Sequence, residues 1–345
     1  MGSAADWHAF LDEFRSFGGR AENVMRRKSS RGMGLFPIDA SKPVDLHIPK
    51  ELLVAIDDIE VIDGNIKVKD NQNLPKNYID WFERYQRIYS WGVEAEGRQN
   101  ILDFEKGLKS LPDNIQNILK RIQVYNAEKR FPEENIDNEI LQRFIRTRCV
   151  NHRGKYFMMP IIDLVNHNAL AKPYDMSDEG ISIQGMHDGE IVVKYNISDP
   201  LRRFFIYGFN TVEPMGFSVF CRIEHENKTV IVQGGVNERP MRPCKITFRD
   251  NRLVVEQPLL GSIRSPRLPR TLFLQACQDL EGIDGQELFE QIQQSNTIIF
   301  ITLIRELQKI EGDIASQLRD ACLEQLAAQS HYFGQRNDLG IEAKS

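Results

Sequence analysis

The sequence predicts an α+β protein built of small sheets of short strands, with a helical insertion and a mostly helical C-terminal lobe. Three observations predict it. Before residue 72 the apolar residues fall in short extended runs broken by Gly, Pro and Asp-Gly, which is the pattern of brief strands and tight turns. From Pro75 to Arg148 the apolar spacing becomes that of amphipathic helices. Short strands then return as far as Val255, and helical spacing resumes after a loop rich in Pro and Arg.

In order, Phe10, Leu11, Phe14 and Phe17 mark a first helix that Gly18-Gly19 ends. Val24 opens an extended piece leading to Ser29-Ser30-Arg31-Gly32-Met33-Gly34-Leu35. By itself this Gly-x-Gly reads as a hairpin turn; it lacks the third glycine and the strand–helix context of a dinucleotide fingerprint. Leu46 to Pro49 and Ile59 to Val68 are short strands, the second broken at Asp63-Gly64. Tyr78, Trp81, Phe82, Tyr85 and Ile88 form one helical face. Asp113 is expected to cap the next helix, and Asp137 or Asn138 the one carrying Ile140, Leu141, Phe144 and Ile145. Beyond it, Ile181–Ile183 and Glu190–Tyr195 are expected to form a hairpin through Asp188-Gly189, and Leu201–Tyr207 a short helix ending at Gly208. Strands are expected at Ser218–Phe220, Thr229–Val232, Lys245–Phe248 and Arg252–Val255. Helices follow at about 272–280, 285–294, 296–311 and 313–333, with Asn296 and Asp313 as caps. The implied parts are 1–72, the helical insertion 73–147, 148–210, a β-rich connector 211–262, and the helical lobe 263–345.

A chain of 345 residues has room for two domains. The net charge of −5 gives no general attraction to nucleic acid, although basic clusters exist locally, such as Arg264, Arg267 and Arg270. The most apolar run, Thr297 to Ile304, stops at Arg305, too short to span a membrane. Met1 to Phe17 carries Asp6, Asp12 and Glu13, unlike a secretory leader. Five widely spaced cysteines offer neither a CxxC pair nor zinc spacing. The expectation is a reduced, cytoplasmic, monomeric protein without a structural metal.

The chemistry concentrates between Tyr156 and Phe209. The apolar run Tyr156–Ile162 ends in Asp163-Leu164-Val165-Asn166-His167, and the stretch closes with Phe204-Phe205-Ile206-Tyr207-Gly208-Phe209. Taken alone, the first segment is a turn with side-chain caps and the last a helix end with core aromatics. Polar groups at the end of a hydrophobic strand nevertheless need partners, because burying them unpaired costs several kcal/mol.

As an ordered set these motifs say more. Gly-x-Gly-Leu, a helical insertion, Arg148 before a strand, Pro160-x-x-Asp163-x-x-Asn166-His167, a strand ending in Tyr195, and Tyr207-Gly208-Phe209 together resemble the SET-domain methyltransferases, in the subgroup of the Rubisco large-subunit lysine methyltransferase. The resemblance covers residues 20 to 210, and beyond them the strands and the helical lobe 263–345 look like the substrate-binding lobe of the same subgroup. It implies a knot-like crossing of chain segments and S-adenosylmethionine as cofactor. Arg31, Gly32, Met33 and Gly34 would meet the methionine end of the cofactor, and Arg148 would pair with its carboxylate. Asn166 and His167 would hold it in the crossing, supported by Asp163. Tyr207 would be the catalytic tyrosine and also touch the cofactor; Tyr195 would contact the substrate amine, and Phe209 would wall the channel. Tyr195-Asn196 stands where many relatives have Tyr-Gly, and Ser198-Asp199-Pro200-Leu201 where many carry Ser-Asn. Both departures border the substrate side. The implied activity is N-methylation of a lysine in a protein or peptide, with no nucleic acid or membrane partner. Histidine as acceptor, a small precursor peptide as substrate, and a SET-like peptide-binding module without catalysis are the alternatives.

Overall fold

The computed structural model describes residues 4–69, 74–91, 96–126, 136–249 and 252–330. In chain order the elements are α1 (Ala4–Ser16), β1 (Arg20–Glu22), β2 (Val24–Ser29), β3 (Gly32–Pro37), β4 (Val44–Pro49), β5 (Val54–Ala55), β6 (Ile59–Ile62) and β7 (Asn65–Val68). The helical stretch holds α2 (Lys76–Tyr85), α3 (Glu96–Lys109), α4 (Asp113–Arg121) and α5 (Ile136–Arg148). Then come β8 (Cys149–His152), β9 (Lys155–Met158), β10 (Asn166–His167), β11 (Asp175–Ser177), β12 (Gly180–Gly185), β13 (Val192–Val193) and α6 (Pro200–Tyr207). Last are β14 (Met215–Phe217), β15 (Cys221–His225), β16 (Lys228–Gln233), β17 (Lys245–Arg249), β18 (Arg252–Glu256), β19 (Leu259–Ser262), α7 (Leu268–Cys277), α8 (Gly285–Leu307) and α9 (Asp313–Ser330). The class is α+β with small sheets, as the sequence implies.

The chain forms two compact units, Met1–Lys106 with Glu128–Asn196, and Gly107–Ala127 with Ile197–Ser345. In the first unit the sheets are β1-β4-β12-β11, β5-β9-β8 and the pairs β2-β3, β6-β7 and β10-β13. No strand is long, so no sheet buries much alone. The unit is consolidated instead by one apolar core that draws on α1, α2 and every sheet. Trp81 is its hub: it stacks on Phe14 (5.3 Å between ring centroids), Tyr78 (5.5 Å) and Tyr85 (5.6 Å). Its indole N–H donates to the Phe10 carbonyl at 3.1 Å, so the buried polar atom is satisfied.

In the second unit the sheet β15-β16-β18-β17 shares a core with α7 and α8 through Val230, Val232, Leu253, Val255, Phe273, Leu288 and Phe289. Helix α6 begins at Asp199, whose carboxylate accepts from the Arg202 amide at 2.9 Å, with Pro200 at the first helical position. It ends where Gly208 turns left-handed at φ +79°.

Six sequence expectations are corrected. Asp313 is the first residue of α9 rather than its cap, and the carbonyl before it, on Gly312, accepts from the Ser316 amide. Ile181–Ile183 and Glu190–Tyr195 do not pair: β12 pairs with β11 and β4, while β13 runs parallel to β10. The reason is that the Glu190 carboxylate turns inward to Asn166, carrying the following residues to β10. Ser218–Phe220 is not a strand, because its amides go to three separate partners rather than to one neighbouring strand: Ser218 donates to the Pro258 carbonyl, Phe220 to the Ile122 carbonyl, and Val219 to a side chain. Asn296 accepts from the Val219 amide at 3.0 Å and donates to the Ser218 hydroxyl at 2.9 Å. The same contacts place Asn296, fully buried, inside the continuous helix α8 rather than at a cap. Asp113 is the first helical residue of α4, and the carbonyl before it, on Pro112, accepts from Ile115 and Gln116. Ile136 is already helical, so Asp137 and Asn138 lie in the first turn of α5 rather than at its cap.

Candidate functional site

The segment from Ile161 to His167 is the spine of the site. It begins with strain: Ile161 sits at φ +72°, ψ −53°, a γ-turn conformation that a β-branched residue avoids. Such conformations cost on the order of 1–3 kcal/mol and persist where surroundings over-determine them. Here the Asp163 amide donates to the Met159 carbonyl at 2.8 Å and the Leu164 amide to Ile161 at 3.1 Å. The turn drives Asp163 into the interior, where it is 8% exposed.

Three clusters radiate from this spine. The first surrounds Asp163. Tyr85 donates its hydroxyl to Oδ1 at 2.5 Å, and Ser90 donates to Oδ2. Ser90 is brought there by a wide turn over Gln86–Ser90 that closes α2, with the Trp91 amide donating to Gln86 at 2.7 Å; such i→i+5 turns often mark functional positions. Arg148, the last residue of α5, donates to the Asp163 carbonyl at 2.7 Å and lies 3.9 Å from Oδ2. Burial pushes the Asp163 carboxyl above its ordinary value, opposed by the Arg148 guanidinium and by the Ser90 and Tyr85 hydroxyls. Burial and the neighbouring carboxylate push the Tyr85 phenol well up, so it remains a donor.

The second cluster joins the Gly-x-Gly strand to Asn166. The Asn166 amide donates to the Met33 carbonyl at 3.2 Å and to Glu190 Oε1 at 2.7 Å. Glu190, with its side chain 7% exposed, also accepts from Arg31 at 2.8 Å and from the Ser29 hydroxyl at 3.0 Å. Gly34 permits this approach: a Cβ there would stand 2.3 Å from Glu190 Oε1 and 2.8 Å from the Asn166 amide nitrogen, so both side-chain ends would have to shift. Gly32 opens β3 after the Ser30-Arg31 turn, so the expected hairpin and the close approach are both present, two residues apart.

The third cluster is His167 with Tyr195. The Tyr195 amide lies 3.2 Å from His167 Nδ1, the two rings are 5.1 Å apart, and the Tyr195 hydroxyl donates to the Val165 carbonyl at 2.6 Å. The parallel β10–β13 pairing holds these residues in place, with the Asn168 amide donating to Val193.

The structure thus gathers Arg31, Met33, Gly34 and Asn166 around Glu190, Arg148 with Asp163, and His167 with Tyr195, all tied to one short stretch of chain. Tyr207 and Phe209 belong to the second unit. Their rings are 5.9 Å apart, and the Arg203 guanidinium lies 4.9 Å from the Tyr207 ring centroid. Sequence reasoning missed Glu190, Tyr85 and Ser90. Glu190 carried a signal, a lone acid at the head of the apolar run Ile191-Val192-Val193. Tyr85 and Ser90 carried none, since their hydroxyls lie on a helix whose spacing reads as core. Among the described residues no three His, Cys, Asp or Glu side chains are grouped to hold a metal ion.

No protein-family model matches the chain, and no curated protein matches it. Among solved structures it is similar to Rubisco LSMT bound to AdoMet, at 12% identity, covering 96% of this chain and 91% of that one, with a TM-score of 0.41. It is similar also to Rubisco LSMT bound to sinefungin and monomethyllysine, at 14% identity, covering 100% and 95%, with a TM-score of 0.43. A third is the SET domain of LSMT bound to lysine and AdoHcy, at 12% identity, covering 95% and 90%, with a TM-score of 0.40.

Proposed function

We propose that this chain is a SET-type, S-adenosylmethionine-dependent N-methyltransferase acting on a lysine side chain of a protein or peptide. The observation that carries this reading is the Asn166–Met33 contact, which joins the Asp-x-x-Asn-His segment to the Gly-x-Gly strand across 133 residues of sequence. Two motifs that are each weak alone meet at one place, where a Cβ at Gly34 would displace the ends of the Glu190 and Asn166 side chains.

The residues present fit the cofactor's methionine end, which carries a carboxylate, an ammonium and a sulfonium. Arg148, with a quarter of its side chain exposed, supplies a guanidinium suited to a carboxylate. Glu190 and the backbone carbonyls of β3 supply negative charge and acceptors suited to the cationic groups. When bound, the cofactor supplies a methyl group activated on sulfur. The chain's own residues position the acceptor, since transfer needs nucleophile, carbon and sulfur in line. Only the neutral amine attacks, and a lysine in water is almost wholly protonated at pH 7. Aromatic surroundings disfavour the ammonium by desolvation; Tyr195 takes that role in this reading, and Tyr207 is the proposed catalytic tyrosine.

The test is label transfer. The full chain is incubated with S-adenosylmethionine labelled in the methyl group and a protein extract from its source, and the labelled proteins are hydrolysed to amino acids. Methyllysine is the expected product. Methylhistidine would move the acceptor, and cofactor binding without any labelled product would leave a binding module.

A further inference from the structure

The second unit carries a charge feature that includes none of the residues named above for methyl transfer. Between residues 237 and 271 the sequence holds eight lysines and arginines against three acids, in a chain whose net charge is −5. Two arginine–proline segments dominate it: Arg239-Pro240-Met241-Arg242-Pro243, and Arg264-Ser265-Pro266-Arg267-Leu268-Pro269-Arg270. The fold brings them together. Asn237, Arg242 and Cys244 line one small cavity with Pro269, Leu272 and Phe273. Pro240 and Pro269 are buried, anchoring each segment, while Arg239, Arg242, Arg264, Arg267 and Arg270 are all exposed. Turns fix both backbones: the Arg242 amide donates to Arg239, and the Leu268 amide to Ser265. None of the five arginines has an ion-pair partner among the described residues, although Lys245 nearby is paired with Glu256 at 3.1 Å.

From this we propose that the face formed by the 239–243 and 264–270 segments is a docking surface for an acidic, partly apolar segment of a partner protein. Charge complementarity is the first argument. Five guanidinium groups without an ion-pair partner among the described residues gain from a polyanionic partner, and the α7 N-terminus at Leu268 adds its partial positive charge. Preorganisation is the second. Buried prolines and turns hold the arginines where they are, which lowers the ordering cost of binding. The third argument selects a protein over a nucleic acid. Met241 is 62% exposed, Ile263 36% and Leu274 38%, each next to or one helical turn from an arginine. Apolar side chains between arginines match the composition of protein–protein interfaces, whereas a phosphodiester backbone offers them no apolar partner.

The test uses the full chain and a fluorescein-labelled peptide of glutamate and leucine, about 20 residues long, followed by fluorescence anisotropy. A single-stranded oligodeoxynucleotide and inorganic phosphate serve as competitors. Saturable binding is expected that weakens as salt rises from about 50 to about 500 mM. The variants are Arg239→Ser with Arg242→Ser, and Arg264→Ser with Arg267→Ser and Arg270→Ser. Each set should weaken the peptide at least about tenfold with the circular dichroism spectrum unchanged, because all five side chains lie outside the core. The proposal is overturned if the peptide does not bind, if both variant sets bind it as tightly as the parent, or if the oligonucleotide binds more tightly than the peptide. The readout is binding alone, so its failure is separate from any failure of methyl transfer.

Discussion

Tyr207 ends α6, with Gly208 turning the chain beside it and the Arg203 guanidinium against its ring. Tyr207→Phe removes a hydroxyl and almost no volume, so the packing with Phe209 should survive. If the phenol orients the acceptor amine, turnover at saturating cofactor should fall by about 2–4 kcal/mol of transition-state stabilisation, with cofactor affinity little changed. Wild-type turnover in that variant would remove Tyr207 from the chemistry. Asp163 offers a second test through acidity. Burial holds its carboxyl above the ordinary 3.8. A carboxyl raised in the folded state contributes stability below its ordinary value and loses it as pH rises through the folded value. Asp163→Asn is of equal size and never ionises. The stability of the parent relative to this variant should therefore decline as pH rises from about 4. Urea unfolding of both proteins at several pH values measures it, and a pH-independent difference would contradict the account.

At the scale of elements, α6 and the strand pairings matter most. Arg203 is wholly buried, and its Nε donates to Glu213 Oε1 at 2.8 Å, Glu213 being 1% exposed on the side chain. Removing one member of such a pair leaves an uncompensated buried charge. Arg203→Met should therefore cost about 3–5 kcal/mol, and adding Glu213→Leu should recover most of that loss. Denaturant midpoints of the single and double variants decide it; equal losses in the two would show that the cost lies in packing rather than charge. Elements were legible wherever one face is apolar at a constant period. That holds for α1, α2, α6 and the β6–β7 and β16–β18 strands. Partner choice was not legible, because short strands carry too few residues to encode register. The polarity of Asn296 suggested a cap, since nothing in its own helix reveals Ser218 and Val219 as partners across 78 and 77 residues.

For the whole molecule, the same contrast applies to the site. Its motif residues were legible because short polar runs end apolar strands. The acid Glu190 showed in the sequence as the head of an apolar run, but its organising role did not, because its partners Asn166, Ser29 and Arg31 are separated from it by 24, 161 and 159 residues. The central claim is that the folded chain holds S-adenosylmethionine by the residues around Asp163 and Asn166. The most direct measurement is calorimetric titration of the cofactor into the full chain and into its Arg148→Ala variant, with circular dichroism confirming that both are folded. One saturable site is expected in the parent. In the variant the affinity should fall by about 1.5–3 kcal/mol, the worth of a charge-assisted hydrogen bond. Absence of binding to the folded parent, or equal affinity in the two proteins, would contradict the account.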